Sequence, residues 1–211
     1  EWVETHRITP QKKVDLPRGL YLPLWTFDIG GAIEYTAELI RYENDDEDSL
    51  FSHSQTKTMR ITEQYPVMAN DIPVPAARKL GSVYSKLVPT FDLKALKPYD
   101  PRYLANWPAD IYDLPMADAS LDARSLAYKK SQRDIPNSLS GYKVIRTSSA
   151  GLMVESFKLN LLPVWMTEIP QNGKEYLVLI NGQNGEVRAN LPGVKEEKGG
   201  LFGFLDDLLG E

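Results

Sequence analysis

"YLPLWTFDIGGAIEY" (Tyr21–Tyr35) has a counterpart far along the same chain, "LLPVWMTEIPQNGKEY" (Leu161–Tyr176), and the pair decides the fold class. Each runs Leu-Pro, an aliphatic residue, Trp, an acidic residue before Ile, a turn-rich insert, and Glu-Tyr leading into an apolar run. In the first copy Leu20, Leu22 and Leu24 alternate with Tyr21, Pro23 and Trp25, so both faces are apolar, as in a strand buried on both sides. Gly30-Gly31 offers the positive φ angles of a tight hairpin turn, and Ile33, Tyr35 and Ala37 then alternate with Glu34, Thr36 and Glu38 as a half-solvated return strand. The reading is a duplicated Leu-Pro-x-Trp hairpin, because a solenoid would need more copies. A proline inside a strand removes one ladder donor, so Pro23 and Pro163 each require a bulge or a strand edge. Trp25 and Trp165 read as core anchors of two halves of one sheet, since a large aromatic side chain buries roughly 150–250 Å². The alternative places them on the walls of a ligand groove between the copies.

Outward from these hairpins the pattern changes twice. "NDIPVPAARKLGSVYSKLVP" reads as an extended, proline-punctuated piece and then a short helix from about Ala76 to Leu87. "TFDLKALKPYDPRYLANWPADIYDLP" is too rich in proline for a helix and too apolar for a free linker, so it should wrap the body as an anchored, irregular connection. "MADASLDARSLAYKKSQRD" has early acidic residues, late Lys129, Lys130 and Arg133, and Pro136 beyond its end, which specifies a helix. From Tyr142 to Asn190 the pattern is β again, with "NGQNG" as a turn. The expected class is α+β: a β-rich antiparallel sheet around a helical and irregular middle. The expected organisation is an N-terminal arm over 1–17, a single body over 18–192, and a hinge with a C-terminal amphipathic docking helix over 193–211.

Composition narrows the function classes. With 24 Lys+Arg against 29 Asp+Glu in 211 residues, the net charge is −5, and no global field draws the chain to nucleic acid or anionic lipid. The absence of cysteine removes disulfides and thiolate chemistry, and fits a reducing, cytoplasmic setting. No apolar run approaches the roughly 20 residues of a membrane span. The start at Glu1 rather than Met points to a fragment or processed form.

Three stretches together, "LYLPLWTFD", "KPYDPRYLANWPADIYDL" and "LLPVWMTEIPQNGKEYLVLINGQNGEV", resemble the body of uncharacterised bacterial zinc-ribbon proteins, often labelled primosomal replication factor Y-like helicases. The resemblance spans about Gly19 to Pro192 and implies an N-terminal Cys-rich zinc ribbon ahead of this body. Here there is no Cys, and only His6 and His53, so no zinc ligand set lies in this chain and any zinc would belong to a missing N-terminal segment. No G-x-x-x-x-G-K-[ST] loop is present to cradle a nucleotide for helicase work. The family brings no established activity.

Candidate chemistry is sparse. No G-x-S-x-G, H-E-x-x-H or G-x-G-x-x-G signature occurs, so no catalytic, cofactor or metal residue is assigned. His6 and His53 read as solvated. Glu43–Asp48 reads as a solvated acidic loop without the offsets of a calcium loop. Asp28, Glu34, Glu168 and Glu175 read as exposed carboxylates near turns rather than an acid/base pair. The tail "GGLFGFLDDLLGE" carries the strongest interaction signal: Leu201, Phe202, Phe204, Leu205, Leu208 and Leu209 form an apolar stripe on a helix too short to stand alone. The expected function is therefore a non-enzymatic protein-interaction module, bound through this tail to a partner or to itself. The alternative is a small-molecule binder or enzyme with a pocket between the two Trp segments. A nucleic-acid adaptor working through the zinc ribbon ranks below both.

Overall fold

The computed structural model describes residues 14–44, 54–136, 139 and 141–191. The elements run β1 (Arg18–Asn44), β2 (Ser54–Pro75), α1 (Gly81–Leu87), α2 (Met116–Asp134), β3 (Lys143–Gln171), β4 (Lys174–Asn181) and β5 (Val187–Ala189), with several short 3-10 turns between β2 and α2. The strands form one five-stranded antiparallel sheet in the order β2-β1-β3-β4-β5. The class is α+β with β dominant, and α2 occupies the stretch its charge pattern and Pro136 mark out. No helix among the described residues is long and apolar enough to cross a membrane.

The described residues fall into two compact units, those within Glu1–Thr26, Pro73–Ala119 and Lys158–Glu211 in the first, and those within Phe27–Ile72 and Ser120–Phe157 in the second. In the first unit Leu20, Leu22 and Leu24 of β1 meet Leu162 and Val164 of β3, Leu179 of β4, and Val83, Tyr84 and Leu87 of α1. That α1 begins at Gly81, later than Ala76, follows from β2 continuing to Pro75 and a 3-10 turn over Arg78–Leu80. A smaller cluster joins Ile169, Val178, Ala189 and Leu191. In the second unit Phe27, Ile29, Ile33, Tyr35, Val67, Leu152 and the alanines Ala123 and Ala127 of α2 are buried.

The expected turn at Gly30-Gly31 is not there: β1 passes through both glycines as one strand of 27 residues. The glycines serve close approach instead. A Cβ at Gly30 would land on the Glu155 carboxylate, one at Gly31 on the carbonyl oxygen of Gly151, and one at Gly151 would lie 2.6 Å from the carbonyl oxygen of Ala32. Gly31 also takes φ of 114°, which side-chain-bearing residues avoid. The second copy does turn as expected, with Asn172 and Gly173 at positive φ between β3 and β4 and Pro170 paired to Glu175.

Both prolines lie where the neighbouring strand stops. The Pro23 carbonyl accepts from the backbone N–H of Ala76, the first residue after β2, at 3.2 Å. The Pro163 carbonyl accepts from that of Gly182, the first residue after β4, at 2.8 Å. Each missing N–H thus falls at the end of a ladder, where it costs least.

Candidate functional site

The odd-numbered face of β1 and β3 in the first unit, opposite the leucine core, is covered by the proline-rich segment that follows α1. Its attachment to β1 is a backbone one: Tyr21 donates to the Pro108 carbonyl and accepts from the Asp110 N–H, both at 2.9 Å, in an isolated parallel bridge to Ala109. Beyond it the N–H groups of Asp113 and Leu114 both reach the Ala76 carbonyl. Aromatic side chains complete the attachment. Trp107 stands over Tyr21 at 5.7 Å between ring centroids and meets Trp165 edge-on at 4.8 Å, while Tyr112 meets Trp25 edge-on at 5.4 Å.

The two repeat anchors therefore do different jobs. Trp25 is buried and its indole N–H donates to the Leu114 carbonyl at 2.9 Å. Trp165 is 40% exposed, so it holds down the covering segment through Trp107 and is not a member of the apolar core.

Beside these contacts lies a cavity of about 460 Å³, within the usual range for small-molecule sites. Its lining comes from β1 through Tyr21, from β3 through Lys158, Leu159, Asn160, Leu161 and Pro163, and from the turn after β4 through Gln183. The covering segment adds Ala95, Leu96, Lys97, Pro98, Tyr99, Tyr103 and Leu104. Neither Trp25 nor Trp165 is among the lining residues of this cavity, which sits against residues that precede them in each segment.

Two local devices shape its walls. The first is an Asx-capped turn: the Asp100 carboxylate accepts from the Arg102 N–H at 2.9 Å and also binds the Arg102 guanidinium, starting the 3-10 turn Pro101–Leu104 that presents Tyr103 and Leu104. The guanidinium holds the Asp100 carboxyl below its usual range. The second is the "NGQNG" turn, whose amides do more than reverse the chain. Asn181, 1% exposed, donates to the Thr90 carbonyl at 3.0 Å and to its hydroxyl at 2.8 Å, and accepts from the Gln183 N–H at 2.7 Å. Asn184 donates to the same carbonyl at 2.9 Å. Gln183 pairs with the Asp92 backbone like a short strand, accepting from its N–H at 2.9 Å and donating to its carbonyl at 3.2 Å. Three carboxamides thus clamp residues 90–92, which lead into the cavity wall at Ala95 and Leu96. A turn needs no such set, and that excess of amides was the available signal in the sequence.

The carboxylates considered as a pair have ordinary roles. In the second unit Asp28 accepts from the Asp71 N–H at 2.9 Å and from the Ser156 hydroxyl, and Glu34 is exposed. In the first unit Glu168 and Glu175 are exposed on adjacent strands, opposite Leu177 and Pro170 respectively. Among the described residues no group of three His, Cys, Asp or Glu comes together in a metal-binding arrangement. His6, His53, most of the Glu43–Asp48 loop and all six tail residues, Leu201 to Leu209, lie outside the described residues.

No family model and no solved structure matches this chain. Over 202 residues it is 25% identical to a Bacillus subtilis (strain 168) protein described as uncharacterized protein YdjG. The match takes in 91% of this chain and 58% of YdjG, so the chain spans less than two thirds of that relative's length. The likeness carries no activity with it.

Proposed function

We propose that this chain is a non-enzymatic binding module that takes a small molecule in the cavity between β3 and the segment 95–104. The observation that carries the reading is convergence. Tyr21 from "LYLPLWTFD", Tyr99, Tyr103 and Leu104 from "KPYDPRYLANW", Leu161 and Pro163 from "LLPVW", and Gln183 from "NGQNG" all reach one cavity. The most sequence-distinctive stretches of the chain thus supply a single concave surface, mostly apolar and aromatic with a few polar groups, which is the composition of a ligand site. Its described lining holds no Asp, Glu, His, Ser or Cys, so it offers neither a nucleophile beside a base nor a carboxylate pair, and binding suits it better than chemistry.

The test is a thermal-shift screen of a fragment collection against the intact chain and against Ala95→Trp, which fills the cavity from its rim. Hits should raise the melting temperature of the parent, as any ligand of the native state must, and lose that effect in the filled variant. Hits that stabilise both proteins equally would refute the site.

The likeness of the two Leu-Pro-x-Trp segments supports descent from one strand segment, because each proline carbonyl accepts from the first residue beyond the neighbouring strand. Association through the tail around Leu205 is a separate proposal, which deletion of Gly199 to Glu211 tests by its effect on oligomeric state. Kinship with zinc-ribbon proteins is likewise a proposal, resting on the quoted motifs; metal analysis of the protein expressed from its native start tests it.

A further inference from the structure

Three tyrosines line the cavity, and the protein uses the ring of one. Tyr21 packs against Trp107. Tyr99 and Tyr103 are 68% and 48% exposed, and among the described residues neither ring meets another aromatic ring and neither hydroxyl has a hydrogen-bond partner. Tyr103 is nevertheless held in place through its backbone, whose N–H donates to the Asp100 carbonyl at 3.0 Å within the turn Pro101–Leu104. Ordering an exposed aromatic residue beforehand lowers the entropy that binding would otherwise lose. The polar groups of the wall are mostly committed elsewhere. Asn160 donates to the Thr26 hydroxyl at 3.0 Å, the Asp92 backbone holds the Gln183 amide, and Lys158 is engaged within the protein. A sugar, whose hydroxyls need hydrogen bonds once out of water, finds few groups there to meet them. An aromatic ring needs only faces and edges, and against a tyrosine it gains more than a saturated ring of the same size.

Resting on the cavity reading above, we propose that the ligand carries a flat aromatic ring system, packed against Tyr99 and Tyr103 and bounded by Leu159 and Pro163. The two tyrosines confer the preference for an aromatic over a saturated ring, and the aliphatic wall holds either.

Two uncharged probes of matched shape separate the parts of this inference. 2-Naphthol is flat and aromatic, and decahydro-2-naphthol is its saturated counterpart with the same hydroxyl, so the lysines do not distinguish them. In ligand-observed NMR titrations of the intact chain, 2-naphthol should bind about three- to tenfold more tightly, the scale of one or two aromatic contacts. The Tyr99→Leu/Tyr103→Leu variant should lose that preference while its affinity for the saturated probe is unchanged, which also shows that its cavity is intact. Tyr99→Leu alone, at a largely exposed position that folding does not depend on, should lose part of it. Ala95→Trp should weaken both probes, with an unchanged far-UV spectrum as the folding control. Equal affinity for the two probes, a preference that survives loss of both tyrosines, or displacement of 2-naphthol by maltose overturns the aromatic assignment and leaves the cavity reading standing. Failure of both probes to bind, or of either to respond to Ala95→Trp, overturns the cavity reading itself.

Discussion

Consider replacing Asn181 and Asn184 by alanine, singly and together. Asn181 makes three hydrogen bonds, two to Thr90 and one from the Gln183 N–H, while Asn184 makes one to the Thr90 carbonyl. A net hydrogen bond is worth about 1 kcal/mol, and leaving a buried partner wholly unmatched costs about 1–3 kcal/mol. In Asn181→Ala no partner is stranded. The Thr90 carbonyl keeps Asn184, the Thr90 hydroxyl still donates to the Leu87 carbonyl at 2.8 Å, and the exposed Gln183 N–H reaches water. The expected loss is therefore near the sum of three net bonds, about 3 kcal/mol, and that for the exposed Asn184→Ala, with one solvent-accessible bond, about 0.5 kcal/mol. The double variant removes both donors from one carbonyl, so its loss should exceed the sum of the singles by about 1 kcal/mol. Urea unfolding followed by tryptophan fluorescence measures all three through the midpoint at constant slope. Losses that add to within about 0.3 kcal/mol would show that the two amides do not share the acceptor, and the account of the clamp would fall.

Three further outcomes are expected. Tyr84 is fully buried with its hydroxyl donating to the Pro23 carbonyl at 2.9 Å, and burial pushes its phenol above its ordinary value. Its contribution is present below about pH 10 and lost as pH rises beyond, so Tyr84→Phe should cost about 1 kcal/mol at pH 7 and flatten the alkaline fall in stability; an unchanged alkaline limb counts against this. The Asp113 carboxylate accepts from the N–H groups of Lys79 and Arg78 at 3.0 and 2.7 Å, which lowers its pKa, so Asp113→Asn should remove part of the stability lost as pH falls through the ordinary carboxylate range and below; acid titration of the melting temperature checks it. Gly31→Ala should cost about 2–3 kcal/mol or prevent folding, through strain at φ 114° and collision with Gly151, whereas Gly173→Asn, in open space at φ 75°, should cost less than about 0.5 kcal/mol; equal melting points for the two would refute the close-approach reading.

Much of the fold was legible because its determinants are local. The charge gradient and Pro136 mark α2, Asn172-Gly173 marks the β3–β4 turn, and leucine alternation marks β1. Gly30-Gly31 misled because a glycine required for a turn and one required for close approach look alike in sequence; the partner that distinguishes them, Gly151, lies more than a hundred residues away. The cavity was illegible for a related reason. Its lining is drawn from four separated stretches, and the tryptophans that drew notice serve to attach the cover, while Tyr21 and Pro163 beside them line the space. In "KPYDPRYL" the Asp-Pro step signals a capped turn but not which surface Tyr103 will face.

The central pairing of β1 with β3 has a consequence for biosynthesis. The Thr26 and Asn160 side chains that meet across it are separated by 134 positions, and contacts of such long range form late and slowly. During translation β1 and β2 can join as soon as both have emerged from the ribosome, but the flank of β1 that receives β3 stays bare until most of the polypeptide has been made. Nascent chains at that stage would expose an apolar strand with an unsatisfied edge, open to pairing with other chains until β3 arrives.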